Sequence, residues 1–256
     1  MFIPLHDANS LKYIKLQYIT FGLIAANVII YMMTMLVSDS AAQAVVFGFG
    51  YVPAVVNNVA QLPPELVFLP QGFSYVTYAF LHGDLFHLGG NMLFLWVFGD
   101  NVEDALGHFR YFLFYMICAA AGAFLHGMMA PGSQAPLIGA SGAVAGIVAA
   151  YLILHPRVKV WVLALGRIPL RIPAFIPLLL WVGFQFVMLG LAAEDQISWA
   201  AHVGGMVVGA VLIVIFRRPG VPLFDRQIVT PDAVVMEKPG QTGRAAPAPR
   251  PRWGRG

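Results

Sequence analysis

Residues 137–154 read LIGASGAVAGIVAAYLIL, a run with no charged residue. That length approaches the roughly 20 residues a helix needs to cross hydrocarbon. Inside it sits Ser141, between Gly139-Ala140 and Gly142. A second apolar run, 197–216, carries His202 in the stretch Trp199-Ala200-Ala201-His202-Val203-Gly204-Gly205. Ionisable side chains are costly in a bilayer, so an intramembrane histidine marks a functional candidate by default. Serine and histidine at matching depth are the pairing expected of a nucleophile and its base.

Working outward, the whole chain has the composition of a membrane protein. Of its 256 residues 59% are hydrophobic and 11% charged, against about 25% charged in a soluble domain. Six apolar runs are candidate spans: about 16–37, 85–99, 109–130, 137–154, 173–193 and 197–216, of which the second and fourth are short. The predicted fold class is therefore all-α, a six-helix transmembrane bundle in the lipid bilayer. The predicted organisation is an N-terminal segment 1–15, a six-span domain 16–216, and a Pro/Arg-rich tail 217–256 without a packed core. The first fifteen residues lack the pattern of a cleavable signal peptide, so span 1 is expected to stay in the mature protein. The lone cysteine, Cys118, allows no intrachain disulfide and no paired-cysteine metal motif.

Charge gives an orientation. Every Lys and Arg lies before span 1, between spans 2 and 3, between spans 4 and 5, or after span 6. All these segments fall on one side of a six-span bundle. By the positive-inside rule both termini are cytoplasmic and the protein is a multi-pass protein of the cell (inner or plasma) membrane. The basic excess thus reports topology, and no nucleic-acid partner is expected. Residues 38–84 become an external connection, apolar enough to hold short helices at the interface.

Spans 2, 4 and 6 then all enter from outside. Ser141, His202, His87 and Asn91 each lie near the start of one of them, so topology alone puts the four in one layer below the outer surface. Gly142 with Gly146, and Gly205 with Gly209, are small-xxx-small pairs that allow close helix packing. His202 can accept the Ser141 proton and return it to a leaving amine. No carboxylate lies in spans 4 or 6, and Glu194 and Asp195 sit outside span 6, so a dyad is expected instead of a triad. His87 and Asn91 share a helical face. With the Ser141 backbone N–H they could donate to a developing oxyanion. Taken singly, each residue has a structural reading: a serine bonded to its own helix, an asparagine joining two helices, His82 and His126 as interface residues.

Together these residues resemble the rhomboid intramembrane serine proteases over about residues 65–210. Gly139-Ala140-Ser141-Gly142 is similar to the family's GxSG nucleophile motif. Ala201-His202-Val203-Gly204-Gly205 with Gly209 is similar to its AHxxGxxxG motif around the base. His87 through Asn91 resembles its HxxxN oxyanion pair, with His82 matching a further histidine ahead of it. Gly99 through Gly107 resembles GxxxExxxG, in which Glu103 is structural. The resemblance implies a serine endopeptidase that cuts transmembrane protein substrates near the outer membrane surface. Its catalytic pair is Ser141 and His202, its oxyanion donors are His87, Asn91 and Ser141, and its supporting residues are His82, Gly139 and Gly142. It implies no cofactor and no metal, and a gate formed by span 5 and the loop before span 6. It sets no oligomeric state. Two positions depart from the family pattern. Phe73-Ser74 stands where many members have Trp-Arg, and Ala145 stands where some have an aromatic that packs on the catalytic imidazole. Two alternatives compete: an inactive relative that binds membrane proteins, and a metal or haem protein using His82, His87, His126 and His202.

Overall fold

The computed structural model describes residues 2–191 and 198–225. The chain begins as strand β1 (Phe2–Asp7), followed by helix α1 (Tyr18–Met35), α2 (Asp39–Phe49), the single turns α3 (Pro53–Val56) and α4 (Ser74–Thr77), then α5 (Leu85–Leu106), α6 (His108–Met129) and α7 (Ser141–Leu154). Strands β2 (Lys159–Ala164) and β3 (Ile168–Pro173) follow, then α8 (Phe175–Gly190) and α9 (Trp199–Phe216). The six long helices are the six expected spans. By length and apolar composition α1, α6 and α9 can each cross a membrane, and α7 and α8 are shorter apolar helices. The chain is a polytopic helical membrane protein.

Helix α7 is the buried axis of the bundle. Gly142 through Tyr151 are all buried, mainly against α6 and α9. Contact is made by small residues, as expected where lipid supplies no hydrophobic drive between helices. A Cβ placed on Gly205 would fall inside the van der Waals envelope of the Gly142 carbonyl oxygen, and one on Gly209 would lie 2.5 Å from Gly146 Cα. Cys118 of α6 occupies the notch left by Gly146, where a Cβ would stand 2.5 Å from its Sγ. The lone cysteine is thus a packing residue. By contrast α1 and α8 present apolar side chains outward, among them Ile29, Met32, Met33, Leu179, Leu180 and Val187. Such faces suit contact with lipid tails.

Three boundaries differ from the sequence reading, each for a physical reason. The fourth helix starts at Ser141 and not at 137, because Gly139 adopts φ +117° and Leu137 pairs with Tyr51 in an isolated bridge. At 1.5 Å per residue its 14 residues span about 21 Å, short of the hydrocarbon thickness. The second helix runs to Leu106, past the apolar run that ends at Gly99, because its acidic last turns are neutralised by hydrogen bonds. Glu103 is fully buried and accepts from the N–H groups of Ile19 (3.0 Å) and Thr20 (2.8 Å) and from Thr20 Oγ1 (2.7 Å). Asp104 accepts from the N–H groups of Lys12, Tyr13 and Ile14 at 2.7–2.8 Å. These two carboxylates fasten the entry to α1. Residues 217–225, read as the start of a coreless tail, turn back on the bundle. Arg218 N–H donates to Ala105 O (2.9 Å), Phe224 N–H to Ile153 O (2.7 Å) and Asp225 N–H to Leu154 O (2.9 Å). The remainder of the tail, 226–256, and the loop 192–197 with Glu194 and Asp195, lie outside the described residues.

The bundle carries one addition, a three-stranded antiparallel sheet in the order β1-β2-β3. Asp7 pairs with Val160 and Phe2 with Ala164, across a bulge between Pro4 and His6. In β2 the pattern Lys159-Val160-Trp161-Val162 alternates exposed and buried, the period-two signature of a half-buried strand. The sheet places the N-terminal segment and the α7–α8 connection on one face of the molecule, the same face that charge counting assigned to both. Asp7 closes it against the bundle by accepting from Tyr151 OH and Asn101 Nδ2, both at 2.8 Å.

Candidate active site

Ser141 is the first residue of α7, and the chain before it is held by the bundle. The Gly139 N–H donates to Tyr78 O at 3.0 Å, and the Tyr78 hydroxyl donates to Ala119 O at 2.8 Å. A side chain at Gly139 would be strained by its positive φ, and its Cβ would sit 2.5 Å from His87 Nε2. Non-helical backbone at membrane depth persists only where protein satisfies it, and here Tyr51 and Tyr78, both buried, do so. The first N–H groups of a helix lack intrahelical acceptors, and no side chain caps α7. Its start therefore offers donors and the positive end of the helix dipole to an anion forming beside Ser141.

His202 lies in the first turn of α9. That turn is fixed by Ser198, whose Oγ accepts from Ala201 N–H (3.1 Å) and is hydrogen-bonded to His126 Nδ1 of α6 (2.8 Å). His126, read as an interface residue, is thus a brace for the helix that carries His202. The Ala201 carbonyl, next to His202, is enclosed by two glycines. A Cβ on Gly122 would stand 2.7 Å from it, and one on Gly142, next to Ser141, 3.3 Å from it. The backbones carrying the serine and the histidine are therefore in direct contact. Among the described residues no hydrogen bond joins the two side chains. Such bonds commonly tighten only once substrate is bound.

The imidazole of His202 is buried in an aromatic setting. Trp181 of α8 stacks on it (centroids 6.1 Å, planes 29° apart), and Trp199 meets it edge-on (6.1 Å, 89°). These rings occupy the role left open by Ala145. Its Nδ1 lies 2.7 Å from Gln185 Oε1, also of α8. Neither Trp181 nor Gln185 was picked out from the sequence. The signal was present: Gln185 is the one hydrogen-bonding amide in the apolar run 175–190, and it stands one turn from Trp181.

His87, Asn91 and His82 form the opposite wall. The His87 ring abuts Gly139, and the His82 and His87 rings lie 5.0 Å apart. Asn91 Nδ2 donates to His87 O and to His82 Nε2, both at 3.1 Å. Both amide hydrogens of Asn91 are thereby engaged, so donation from Asn91 to an oxyanion requires one of these bonds to be exchanged. His82 Nε2 also lies 3.5 Å from Ala140 N–H, a long contact. Burial pushes its imidazole down to about 4, so it is neutral. It ties the start of α5 to the residue before Ser141. His82 and His87 adjoin each other while His126 bonds to Ser198 and His202 to Gln185, and among the described residues no three His, Cys, Asp or Glu side chains are grouped as metal ligands would be.

Comparison with known proteins bears on the same residues. A profile of the Rhomboid domain matches residues 70–219, more than half of the chain and all of the site. The chain is 32% identical over 146 residues to "Rhomboid protein 1, mitochondrial" of Saccharomyces cerevisiae, covering 53% of this chain and 39% of that protein. It is 28% identical over 148 residues to "Rhomboid-like protein 11, chloroplastic" of Arabidopsis thaliana, covering 56% and 52%. It is 29% identical over 155 residues to "Rhomboid-type serine protease 2" of Emericella nidulans, covering 58% and 28%. The chain thus spans about half or less of the length of these relatives.

Proposed function

Because the chain belongs to the rhomboid family, we propose that it is an intramembrane serine endopeptidase that uses Ser141 as nucleophile and His202 as general base. The observation that carries the proposal is the contact between the Gly142 and Ala201 backbones. It sets a serine at a helix N-terminus beside a buried histidine whose Nδ1 already has a partner. Attack by Ser141 Oγ on a peptide carbonyl transfers its proton to His202 and gives a tetrahedral oxyanion at the start of α7. Collapse expels the amine, which takes the proton from His202, and water then hydrolyses the acyl-serine with His202 again as base. His87 and the α7 N–H groups are the nearest candidates for oxyanion donors. His82 and Gly139 hold the loop that presents the serine.

The substrate is a transmembrane protein. A helical segment hides its peptide bonds in its own hydrogen bonds, so substrates should unwind near the membrane surface at glycine, proline or other small residues. We assign the protease domain to residues 16–216, with the basic face and both termini cytoplasmic in a cell membrane. The clustering of Lys and Arg on that face and the pairing of β1 with β2 support this orientation. Two of the named relatives carry an organelle in their names, mitochondrial and chloroplastic, and for an organellar protein the same basic face would address the organelle interior.

The test is cleavage of single-span model substrates, with and without a Gly-Pro pair near the outer surface, co-reconstituted in vesicles. Cleavage is expected with the wild type, stronger for the Gly-Pro substrate, and lost in Ser141→Ala and His202→Ala. Equal cleavage by all three proteins would overturn the assignment.

A further inference from the structure

We infer that Gln185 is a positioning residue for His202, fixing which ring nitrogen acts as the base, and this rests on the dyad reading above. The amide of Gln185 is oriented by its own second bond. Its Nε2 donates to the Trp181 carbonyl at 3.3 Å, which only the NH2 end of the amide can do. Its Oε1 therefore faces His202 Nδ1 at 2.7 Å and can only accept. Nδ1 must then carry the imidazole proton, and Nε2 holds the free lone pair that a base needs. In a serine triad a carboxylate sets this tautomer and also stabilises the imidazolium. A neutral amide supplies the orientation without the charge, which suits a site in low dielectric where an unpaired carboxylate would be costly.

Burial agrees with a dedicated role. Gln185 is 2% exposed, in a helix whose other side chains are all apolar. A buried amide in such a helix is expensive unless both ends are used, and here both are. Gln185 and Trp181 lie one turn apart on α8 and form one cradle, the first gripping the edge of the imidazole and the second covering its face.

The test uses the whole 256-residue chain in detergent micelles, with a fluorophosphonate probe as the reactant at Ser141. Gln185→Leu keeps the volume and removes the acceptor. Gln185→Glu, held protonated by its buried apolar setting, restores an acceptor oxygen toward His202 and a donor toward the Trp181 carbonyl. Labelling rate is measured against pH for wild type and both variants. Gln185→Leu is expected to label about 10- to 100-fold more slowly, with its pH profile displaced, while apparent probe affinity is unchanged. Gln185→Glu is expected to recover most of the rate. Independently, 15N spectra of histidine-labelled wild type, with His202 assigned by loss of its signal in His202→Ala, are expected to show the Nδ1–H tautomer. Wild-type rate and pH profile in Gln185→Leu, or an Nε2–H tautomer for His202, would overturn the inference and leave the dyad standing. Labelling that persists in Ser141→Ala would instead overturn the dyad.

Discussion

Gly205 of α9 rests directly on the carbonyl of Gly142 in α7, with no room for a Cβ between them. The residues on either side of this contact are the proposed nucleophile and the turn that carries its base. Gly205→Val must push α9 away from α7, and a misplacement of about 1 Å can cost on the order of 100-fold in rate. Fluorophosphonate labelling of Gly205→Val is expected to fall by about that factor. Gly22→Ala, at a glycine of α1 with open space around its Cα, is expected to label at the wild-type rate.

Ser198 and His126 form one unit at the start of α9. Ser198→Ala removes an N-cap and is expected to lower stability by about 1 kcal/mol, with a several-fold slower labelling of Ser141. Because the two side chains share a single hydrogen bond, the double variant with His126→Ala should be little worse than the weaker single variant. Thermal unfolding and labelling rates of the four proteins check this. Additive losses would contradict it.

Glu103 works at the other end of the bundle. Glu103→Ala leaves the Ile19 and Thr20 donors without their acceptor in a buried setting. Its expected cost is about 3–5 kcal/mol, read as a lower unfolding temperature. Glu103→Gln keeps one acceptor oxygen and should lose less. Well below the unfolding temperature both variants should label Ser141 at close to the wild-type rate.

Asp7 should make stability depend on pH. Burial raises its carboxyl from 3.8 to about 6. A raised folded-state value means that the stabilising, protonated form is fully present below about pH 4, and its contribution is lost as pH rises through about 6. The loss is up to about 3 kcal/mol. Asn101 Nδ2, from α5, and Tyr151 OH, from α7, donate to the Asp7 carboxyl, and the Asp100 carboxyl of α5 lies close enough to repel its charged form. Unfolding temperatures of wild type are expected to fall between pH 4 and pH 7, and those of Asp7→Asn to stay flatter over the same window. Parallel curves would contradict this.

The long helices were legible from the sequence because hydrocarbon length is a coarse, additive signal. The layer containing Ser141, His202, His87 and Asn91 followed from direction alone. Other features needed coordinates. Helix α7 begins at Ser141 because of one backbone angle at Gly139, which no run of apolar residues encodes. Helix α5 extends to Leu106 because Glu103 and Asp104 find backbone donors some eighty to ninety residues earlier in the chain. The β1–β2 pairing joins segments more than 150 residues apart, so the alternation in residues 159–162 was its only local trace. Gln185 was legible by the reasoning applied to His202, a polar side chain in an apolar helix, but only its partner shows what it does. The aromatic missing at position 145 is replaced from a different helix, by Trp181.

The central claim is that Ser141 is a nucleophile activated by His202. The most direct measurement is fluorophosphonate labelling of the purified protein, with the modified residue located by mass spectrometry. The expected result is a single adduct on Ser141 in the wild type, none in Ser141→Ala, and labelling reduced by at least about 100-fold in His202→Ala. An adduct on another residue, or equal labelling of all three proteins, would contradict the account.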